Sequence, residues 1–243
     1  MRPGAASHSR VICPAHWQSR GGLMLKVESV NQFYGQSHIL WELSLEIKEG
    51  SCVALIGRNG VGKTTLVRCV MGQLPVTSGS ISWNGVALLP ARAERRASLG
   101  IGYVPQGRMI FPLMTVEENL RTGLGALPRA ARKMPDLVFE LFPVLHDMLG
   151  RRGGDLSGGQ QQQLAIARAL VPGPRFLILD EPTEGIQPNV VQQIGDVIVK
   201  LNKDFGLTVL VIEQKLPFVR RVADEFFIMT KGSIVAEGDM NKL

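Results

Sequence analysis

The sequence lacks the features of membrane-spanning, disulfide-rich and zinc-binding proteins. No apolar run approaches the roughly 20 residues that a membrane-spanning helix needs. The three cysteines, Cys13, Cys52 and Cys69, form no C-x-x-C pair. An odd number of scattered cysteines argues against a disulfide framework or a zinc site and favours a reducing compartment. If the protein works at a membrane, we expect another subunit to supply the anchor.

Composition and net charge fit one globular α/β domain. The chain has 243 residues, of which 45% are hydrophobic and 20% charged, so it can bury a sizeable core. Its formal net charge of +6 indicates either an ordinary basic surface or affinity for an anionic partner, such as a nucleotide or a membrane surface. Charge alone does not decide between these two.

The N-terminal segment differs from the rest of the chain. Residues 1–23 contain Pro, Gly, Ser, His and Arg without sustained periodicity, and they lack the apolar segment of a signal peptide. We predict a disordered tail here, or translation from an upstream start with Met24 as the natural beginning. A transit peptide is the weaker alternative, because the stretch is short and contains Pro3 and Pro14.

Short apolar strands alternate with helical segments along the rest of the chain, which favours an α/β core with a mostly parallel sheet. Strands are predicted at 24–30, 43–47, 52–56, 81–83, 101–104, 176–179, 208–212, 225–229 and 233–236. Helices are predicted at 63–71, 160–170 and 190–201. A helical block over 115–149 interrupts the rhythm and is a candidate subdomain.

A glycine-rich segment follows the 52–56 strand and opens the 63–71 helix. It reads Gly57-Arg58-Asn59-Gly60-Val61-Gly62-Lys63-Thr64, which matches G-x-x-x-x-G-K-[ST]. Its backbone N–H groups can point at phosphate oxygens, and the helix start adds its positive dipole end. Lys63 would contact the β and γ phosphates, Thr64 would offer its hydroxyl to Mg²⁺, and Thr65 completes this predicted nucleotide-binding set. The alternative is a glycine-rich turn with a chance lysine, which the flanking strand and helix disfavour.

Two acidic residues end the apolar strand at 176–179. Asp180 and Glu181 would lie at the carboxyl edge of the sheet, where α/β proteins bind their ligands. We predict that Asp180 holds Mg²⁺ through water and that Glu181 polarises the attacking water. Alone, the pair would be read as a solvated acidic turn. Together with the phosphate-binding loop, the catalytic interpretation is favoured.

A second phosphate-binding device precedes the 160–170 helix and identifies the family. The segment reads Leu156-Ser157-Gly158-Gly159-Gln160, in which Ser157 can cap the helix and the glycines expose its first N–H groups. Over 24–243 the sequence resembles the ABC ATPase family. The resemblance implies an α/β fold with a P-loop NTPase core, a mostly parallel sheet, an antiparallel β portion and a helical signature-motif subdomain at approximately 107–170. It also implies that the signature residues Ser157 to Gln160 bind nucleotide.

The resemblance assigns further roles by position. Tyr34 matches the aromatic residue that stacks on adenine, although by itself it would be read as a buried packing residue. Gln106 matches the glutamine that touches Mg²⁺ and connects to the transmembrane partner, although by itself it would be a turn residue. Gln214 stands where most members have a histidine that contacts the γ-phosphate, and Gln187 stands where an aspartate is usual. Glutamine can still hydrogen-bond to phosphate but cannot become a cation.

The closer resemblance is to ATP-binding subunits of branched-chain amino-acid and urea importers. Residues 107–112 and 115–120, and the pair Glu213-Gln214, are similar to both groups. Three short segments are similar to the urea subunit in particular: 151–155, the glutamine run 160–163, and 184–188. Urea or a short amide is therefore the predicted cargo, with branched-chain amino acids as the alternative.

The family resemblance also implies the partners. ATP with Mg²⁺ would lie between Lys63 of one cassette and Ser157 of a second, identical or related, cassette. Transmembrane permease subunits would place the protein peripherally on the cytoplasmic face of the inner membrane, with a periplasmic binding protein as an indirect partner and no nucleic acid. Permease docking is expected near Gln106 and over 111–149, with Arg108, Phe111 and Leu113 as candidate contacts; subdomain packing is the alternative for Phe111 and Leu113.

Two other functional classes are alternatives to a transport motor. Translation-type ABC proteins carry two cassettes in one chain, and repair-type ones insert a long coiled coil between the P-loop and the signature. One cassette with a modest helical block fits neither pattern. A nucleotide-binding scaffold without turnover would not need Glu181, so an ATPase is the favoured interpretation.

Overall fold

The computed structural model describes residues 22–89 and 93–243. Apart from Gly22 and Leu23, the predicted tail over 1–23 lies outside the described residues, as does Cys13. The strands found are β1 (Leu23–Tyr34), β2 (Ser37–Lys48), β3 (Cys52–Ile56), β4 (Ser78–Trp83), β5 (Val86–Ala87), β6 (Ile101–Val104), β7 (Phe176–Asp180), β8 (Thr208–Glu213), β9 (Glu225–Thr230) and β10 (Ser233–Asp239). The helices are α1 (Lys63–Val70), α2 (Ala93–Ser98), α3 (Val116–Gly123), α4 (Asp136–Leu141), α5 (Pro143–His146), α6 (Gly158–Leu170), α7 (Pro188–Lys203) and α8 (Leu216–Val222).

A six-stranded sheet with the order β10-β9-β3-β8-β7-β6 forms the centre of the fold. All its neighbouring pairs are parallel except the antiparallel pair of β10 and β9 at one edge. Strands β3, β7 and β8 are buried along their whole length. Alternate residues enter opposite cores, so that Cys52 and Ala54 pack on one side while Val53 and Leu55 pack on the other. Burial on both faces explains why these strands are continuous apolar runs in the sequence.

A four-stranded antiparallel sheet with the order β2-β1-β4-β5 accounts for the predicted antiparallel portion. Residues of β1, β2 and β4 share a hydrophobic core with α1 and with one face of the central sheet. Strand β1 already includes Leu23, which pairs with Lys48, and the carbonyl of Gly22 accepts a 2.9 Å hydrogen bond from Glu49 N. Within the described residues, Leu23, the last residue of the predicted tail, therefore belongs to a regular strand.

The other core lies between the central sheet and helices α3 to α8. The helical block expected over 115–149 is not continuous, because Pro128, Pro135 and Pro143 interrupt it and divide it into α3, α4 and α5. Three short elements were not anticipated from the sequence: β5, α2 and α8. Within the described residues, no helix is long and apolar enough to cross a membrane.

The strand order decides where the candidate functional residues meet. Parallel strands β3, β6, β7 and β8 all end at the same edge of the central sheet. The segments that follow them begin at Gly57, Pro105, Glu181 and Gln214, so four chain segments distant in sequence converge on one site.

Candidate nucleotide-binding and hydrolysis site

The loop between β3 and α1 has the backbone geometry of a phosphate cradle. Gly60 and Gly62 adopt φ angles of 80° and 110°, which favour glycine because it has no Cβ. At Gly57, a Cβ atom would lie 2.6 Å from the carbonyl oxygen of Met229, so the strand can pack closely there only with glycine. In the described part of the chain, no side chain caps the first turn of α1. Its N–H groups are therefore available to an anion at the helix start.

The ammonium of Lys63 lies inside the curve of this loop. Lys63 Nζ donates hydrogen bonds to the carbonyl oxygens of Gly57 at 2.7 Å and Arg58 at 3.0 Å, and it lies 3.6 Å from Glu181 Oε1. Its side chain is only 4% exposed. A buried cation with oxygen neighbours on two sides can also pair with the phosphate group of a ligand held by the loop.

Asp180 ends β7 as a buried carboxylate. Among the residues that the structure describes, none donates a hydrogen bond of normal geometry to either carboxylate oxygen. Burial raises the pKa of Asp180 to about 6, although the nearby Thr64 hydroxyl acts to lower it; the Glu181 carboxylate adds to the rise. A buried carboxylate whose oxygens lack a hydrogen bond of normal geometry, close to the Thr64 hydroxyl, supplies oxygen ligands that suit a hard cation such as Mg²⁺.

Among the described residues, no group of three or more His, Cys, Asp or Glu side chains could hold a metal ion. A cation at Asp180 would therefore need hydroxyl or amide oxygens and phosphate oxygens of a ligand to complete its coordination. Mg²⁺ is commonly held in this way, by one or two carboxylates together with substrate phosphates.

Glu181 has a strained backbone that places its side chain in the site. Its φ angle is 50°, which is uncommon for a residue with a Cβ, and its N–H donates to the carbonyl of Ile212 at 3.0 Å. Glu181 Oε2 accepts a hydrogen bond from Gln106 Nε2 at 3.3 Å. The same Gln106 nitrogen donates to Glu184 Oε2 at 3.0 Å. The structure thus brings Lys63, Gln106 and Glu181 together.

An open cavity of about 410 Å³ lies over these groups. It is lined by Tyr34, Ile39, Asn59, Gly60, Gly62, Lys63, Thr64, Thr65, Gln106 and Glu181. Tyr34 is 45% exposed, so the alternative that it is a buried packing residue is wrong. The Tyr34 ring and the phosphate-binding loop line the same cavity. A nucleotide in this cavity could place its base against the ring and its phosphate chain against the loop.

The signature segment lies away from this cavity. Ser157 caps α6: its Oγ accepts from Gln160 N at 3.3 Å, and Gln160 Oε1 accepts from Ser157 N at 2.9 Å. Neither these two residues nor Gly158 and Gly159 line the cavity. Gly159 has a packing reason of its own, because a Cβ there would lie 2.8 Å from a methyl carbon of Val190.

Arg108 is half-exposed and forms hydrogen bonds within this chain. Its guanidinium donates to Gln161 Oε1 at 3.1 Å and to the carbonyl of Glu184 at 3.5 Å, and it lies against Gly158. These donors join three segments of this chain, and the role of Arg108 as a candidate permease contact stays a prediction. Leu113, in contrast, is 82% exposed, so the alternative that it packs inside the subdomain is wrong.

The two atypical glutamines are both exposed and lie outside the cavity. Gln214 follows β8, and Gln187 precedes α7 without a side-chain cap. Sequence reasoning did not assign a role to Glu184, which holds Gln106, or to Glu213, which ends β8 as a buried carboxylate. For Glu213 a signal was present, because an acidic residue that closes an all-apolar strand needs polar partners when it is buried.

Known proteins share the sequence and the fold along nearly the whole chain. The family model described as ABC transporter matches residues 40–184. The high-affinity branched-chain amino acid transport ATP-binding protein BraG of Pseudomonas aeruginosa is 40% identical over 215 residues, covering 87% of this chain and 91% of BraG. The probable branched-chain amino acid transport ATP-binding protein LivF of Archaeoglobus fulgidus is 36% identical over 221 residues, covering 90% of this chain and 94% of LivF.

Solved structures agree with this assignment. The dimeric ATP-binding cassette MJ0796, in a post-hydrolysis state with ADP and phosphate, superposes with a TM-score of 0.80 at 26% identity, covering 89% of this chain and 99% of that one. The ADP conformation of the cassette MJ1267 gives a TM-score of 0.78 at 27% identity, covering 89% of this chain and 91% of that one. The predicted fold class and the predicted ATPase activity are confirmed. The chain belongs to the ABC transporter family, as an ATP-binding subunit that hydrolyses ATP.

Proposed function

We propose that this chain is the motor subunit of an importer for branched-chain amino acids. The observation that carries the proposal is the 40% identity to BraG over 215 residues, with LivF as a second relative named for the same substrates. The urea prediction rested on three short segments, and neither of these relatives is named for urea. Similarity over nearly the whole chain is stronger support than similarity over segments of four or five residues. Branched-chain amino acids therefore replace urea as the proposed substrate.

Different residues of the cavity bind different parts of ATP. Tyr34 stacks on the adenine ring, while the N–H groups from Gly57 to Thr65 and the Lys63 ammonium hold the phosphates. Asp180, Thr64 and Gln106 hold Mg²⁺, which supplies positive charge to the phosphate oxygens when bound. Two observations support these roles. One cavity is lined by Tyr34, Lys63, Thr64 and Gln106. Within the described residues, the carboxylate oxygens of Asp180 lack a hydrogen bond of normal geometry, and they lie near the Thr64 hydroxyl.

Glu181 is the proposed base for hydrolysis. Its carboxylate accepts a hydrogen bond from water and takes the proton as the water oxygen attacks the γ-phosphorus. The bond from that phosphorus to the bridging oxygen breaks, and its electron pair leaves with ADP. The backbone at Glu181 and the hydrogen bond from Gln106 hold the carboxylate beside Lys63. Gln214 would contact the γ-phosphate as an uncharged hydrogen-bond donor.

The signature segment serves a second copy of the cassette or a related chain. Ser157 is exposed at the N-terminus of a 13-residue helix and lies outside the cavity of its own chain. In a head-to-tail pair, Ser157 to Gln160 would face ATP held by Lys63 of the other cassette. The related cassette MJ0796 is dimeric, which supports this arrangement.

The loop between β6 and α3 is the proposed contact with the membrane permease. Its side chains include four exposed apolar ones, Met109, Phe111, Leu113 and Met114. Docking there would hold the protein peripherally on the cytoplasmic face of the inner membrane. A periplasmic binding protein would deliver the substrate to the permease and not to this chain.

Uptake measurements decide the substrate. In cells lacking this gene, we expect uptake of labelled leucine to fall and uptake of labelled urea to remain. Leucine uptake should return with the wild-type gene but not with Glu181→Gln. Because that variant is present but does not hydrolyse ATP, the comparison distinguishes loss of ATP hydrolysis from absence of the protein. Loss of urea uptake with leucine uptake intact would overturn the proposal and restore the urea interpretation.

A further inference from the structure

The last residue of β8 joins two segments of the site without lining the cavity. Glu213 is 2% exposed, and it occupies the end of a strand that is otherwise apolar except for Thr208. Burial of a carboxylate is costly unless its oxygens accept hydrogen bonds. Both oxygens do, and each one serves a different segment of the chain.

One oxygen holds the segment after β7. Glu213 Oε1 accepts from Thr183 N at 3.1 Å and from Thr183 Oγ1 at 2.5 Å. Thr183 is fully buried, two residues after Glu181, and Glu184 N donates to the carbonyl of Glu181 at 3.1 Å. The position of Thr183 therefore helps to fix the turn in which Glu181 has its strained backbone.

The other oxygen holds the segment after β8. Glu213 Oε2 accepts from Gln214 N at 3.1 Å and from Lys215 N at 3.4 Å. Lys215 closes the arrangement, because its Nζ donates to the carbonyl of Thr183 at 3.0 Å. The turn that carries Gln214 and the turn that carries Glu181 thus share a single buried carboxylate.

We propose that Glu213 is a positioning residue that couples the Gln214 turn to the Glu181 turn. The inference rests on the proposed roles of Glu181 and Gln214 in ATP hydrolysis. Movement of the Gln214 backbone changes the placement of Glu213 Oε2, and the rigid carboxylate passes that change to Thr183 through Oε1. A contact between Gln214 and the γ-phosphate would in this way bring Glu181 into its working position.

Glutamine at this position is a sharp test because it has nearly the same shape. In Glu213→Gln, one acceptor oxygen is replaced by an NH₂ group that faces two donors, so one of the two turns loses its anchor. Since misplacement of a catalytic group by about 1 Å can cost about 100-fold, we expect kcat to fall by about 100-fold while the KM for ATP stays close to the wild-type value. Thr183→Ala should lower kcat less, and Thr183→Ser, which keeps the hydroxyl, should retain it.

The experiment compares these variants as full-length proteins with Glu237→Gln as control. Glu237 is exposed on β10, away from the cavity, so the same chemical change there should leave kcat unchanged. Hydrogen exchange is followed in peptides covering 181–187 and 213–216 with ADP or with a non-hydrolysable ATP analogue. In the wild type we expect the analogue, compared with ADP, to change both peptides; in Glu213→Gln only 213–216 should respond.

A wild-type kcat per folded molecule in Glu213→Gln would overturn the proposal. If the melting temperature is lowered at the same time, Glu213 has a merely structural role. If Glu213→Gln does not fold, Thr183→Ala decides by the same criteria. Substrate uptake is scored separately, because a wrong substrate assignment leaves ATP turnover and its dependence on Glu213 unchanged.

Discussion

Glu181 illustrates how single residues of this site depart from local preference. Its positive φ angle is of the kind that costs roughly 1–3 kcal/mol in a residue other than glycine. The hydrogen bond from its N–H to Ile212 O and the anchoring of Thr183 by Glu213 hold the turn in place. Contacts with Ile212 and Glu213 of β8 thus hold Glu181 in its strained conformation. In this conformation its carboxylate lies 3.6 Å from the Lys63 ammonium.

At the residue scale we predict that Glu181→Gln separates ATP binding from hydrolysis. Glutamine keeps the shape of the side chain and its contact with Gln106 but cannot take a proton from water. ATP turnover should fall between about 100- and 10,000-fold, the range of a lost general base. Binding of labelled ATP should persist, and size-exclusion chromatography with ATP should show more of the paired cassette than in the wild type.

Lys63→Ala is the matched comparison for that experiment. It removes the buried cation instead of the base, so nucleotide affinity itself should fall. Near-normal turnover by Glu181→Gln would show that another group activates the water.

At the element scale, two helices begin with the same reciprocal cap. Thr115 with Glu118 starts α3, and Ser157 with Gln160 starts α6. Asn119 on α3 adds a tertiary contact: its Nδ2 donates to the carbonyl oxygens of Phe111, Met114 and Thr115, and its Oδ1 accepts from Phe111 N at 2.8 Å. A single buried amide therefore ties the exposed apolar loop to the helix that follows it.

We predict that Asn119→Ala destabilises the protein by about 1–3 kcal/mol, because buried polar groups of residues 111–115 lose their partner. The loss is measured as the free energy of unfolding in urea. Hydrogen exchange should rise in a peptide covering 109–115, and leucine uptake should fall more than ATP turnover, since this loop is the proposed permease contact.

Glu117→Ala on the exposed face of the same helix is the control for Asn119. It removes an exposed ion pair with Arg121, and such pairs contribute about 0.5 kcal/mol. An equal effect of the two substitutions would contradict the anchoring role of Asn119.

At the scale of the whole molecule, a central sheet with a hydrophobic core on each face supports the site. The pairing of the first described strand with its neighbour leads to a truncation test. Removal of residues 1–21 should leave the melting temperature and ATP turnover unchanged. A chain that begins at Met24 should melt lower, because it loses the pairing of Leu23 with Lys48 and the hydrogen bond between Gly22 O and Glu49 N.

A fall in the melting temperature of the first truncation, equal to that of the second, would show that residues 1–21 contribute to the folded unit. Thermal unfolding and ATP turnover of both truncated chains, measured beside the full-length chain, provide the comparison.

The sequence by itself determined the features that depend on neighbours along the chain. The phosphate-binding loop needs glycines and a lysine at fixed spacing, so it could be recognised from eight consecutive residues. The caps of α6 and the bounds of β3 and β6 were likewise predictable, because capping residues and apolar runs act locally. The acidic residues at the end of β7 could also be predicted to lie at the carboxyl edge of the sheet, because they directly follow an apolar strand and ligands bind at that edge in α/β proteins.

Only the tertiary structure decided which distant residues meet. The contacts of Gln106 with Glu181 and Glu184 span 75 and 78 positions, and that of Thr183 with Glu213 spans 30. The hydrogen bond of Arg108 with Gln161 and the division of the block 115–149 into separate helices also became visible only in the fold. Such contacts depend on strand order, since β7 lies between β6 and β8 in the sheet, and no local pattern of residues specifies which strands become neighbours.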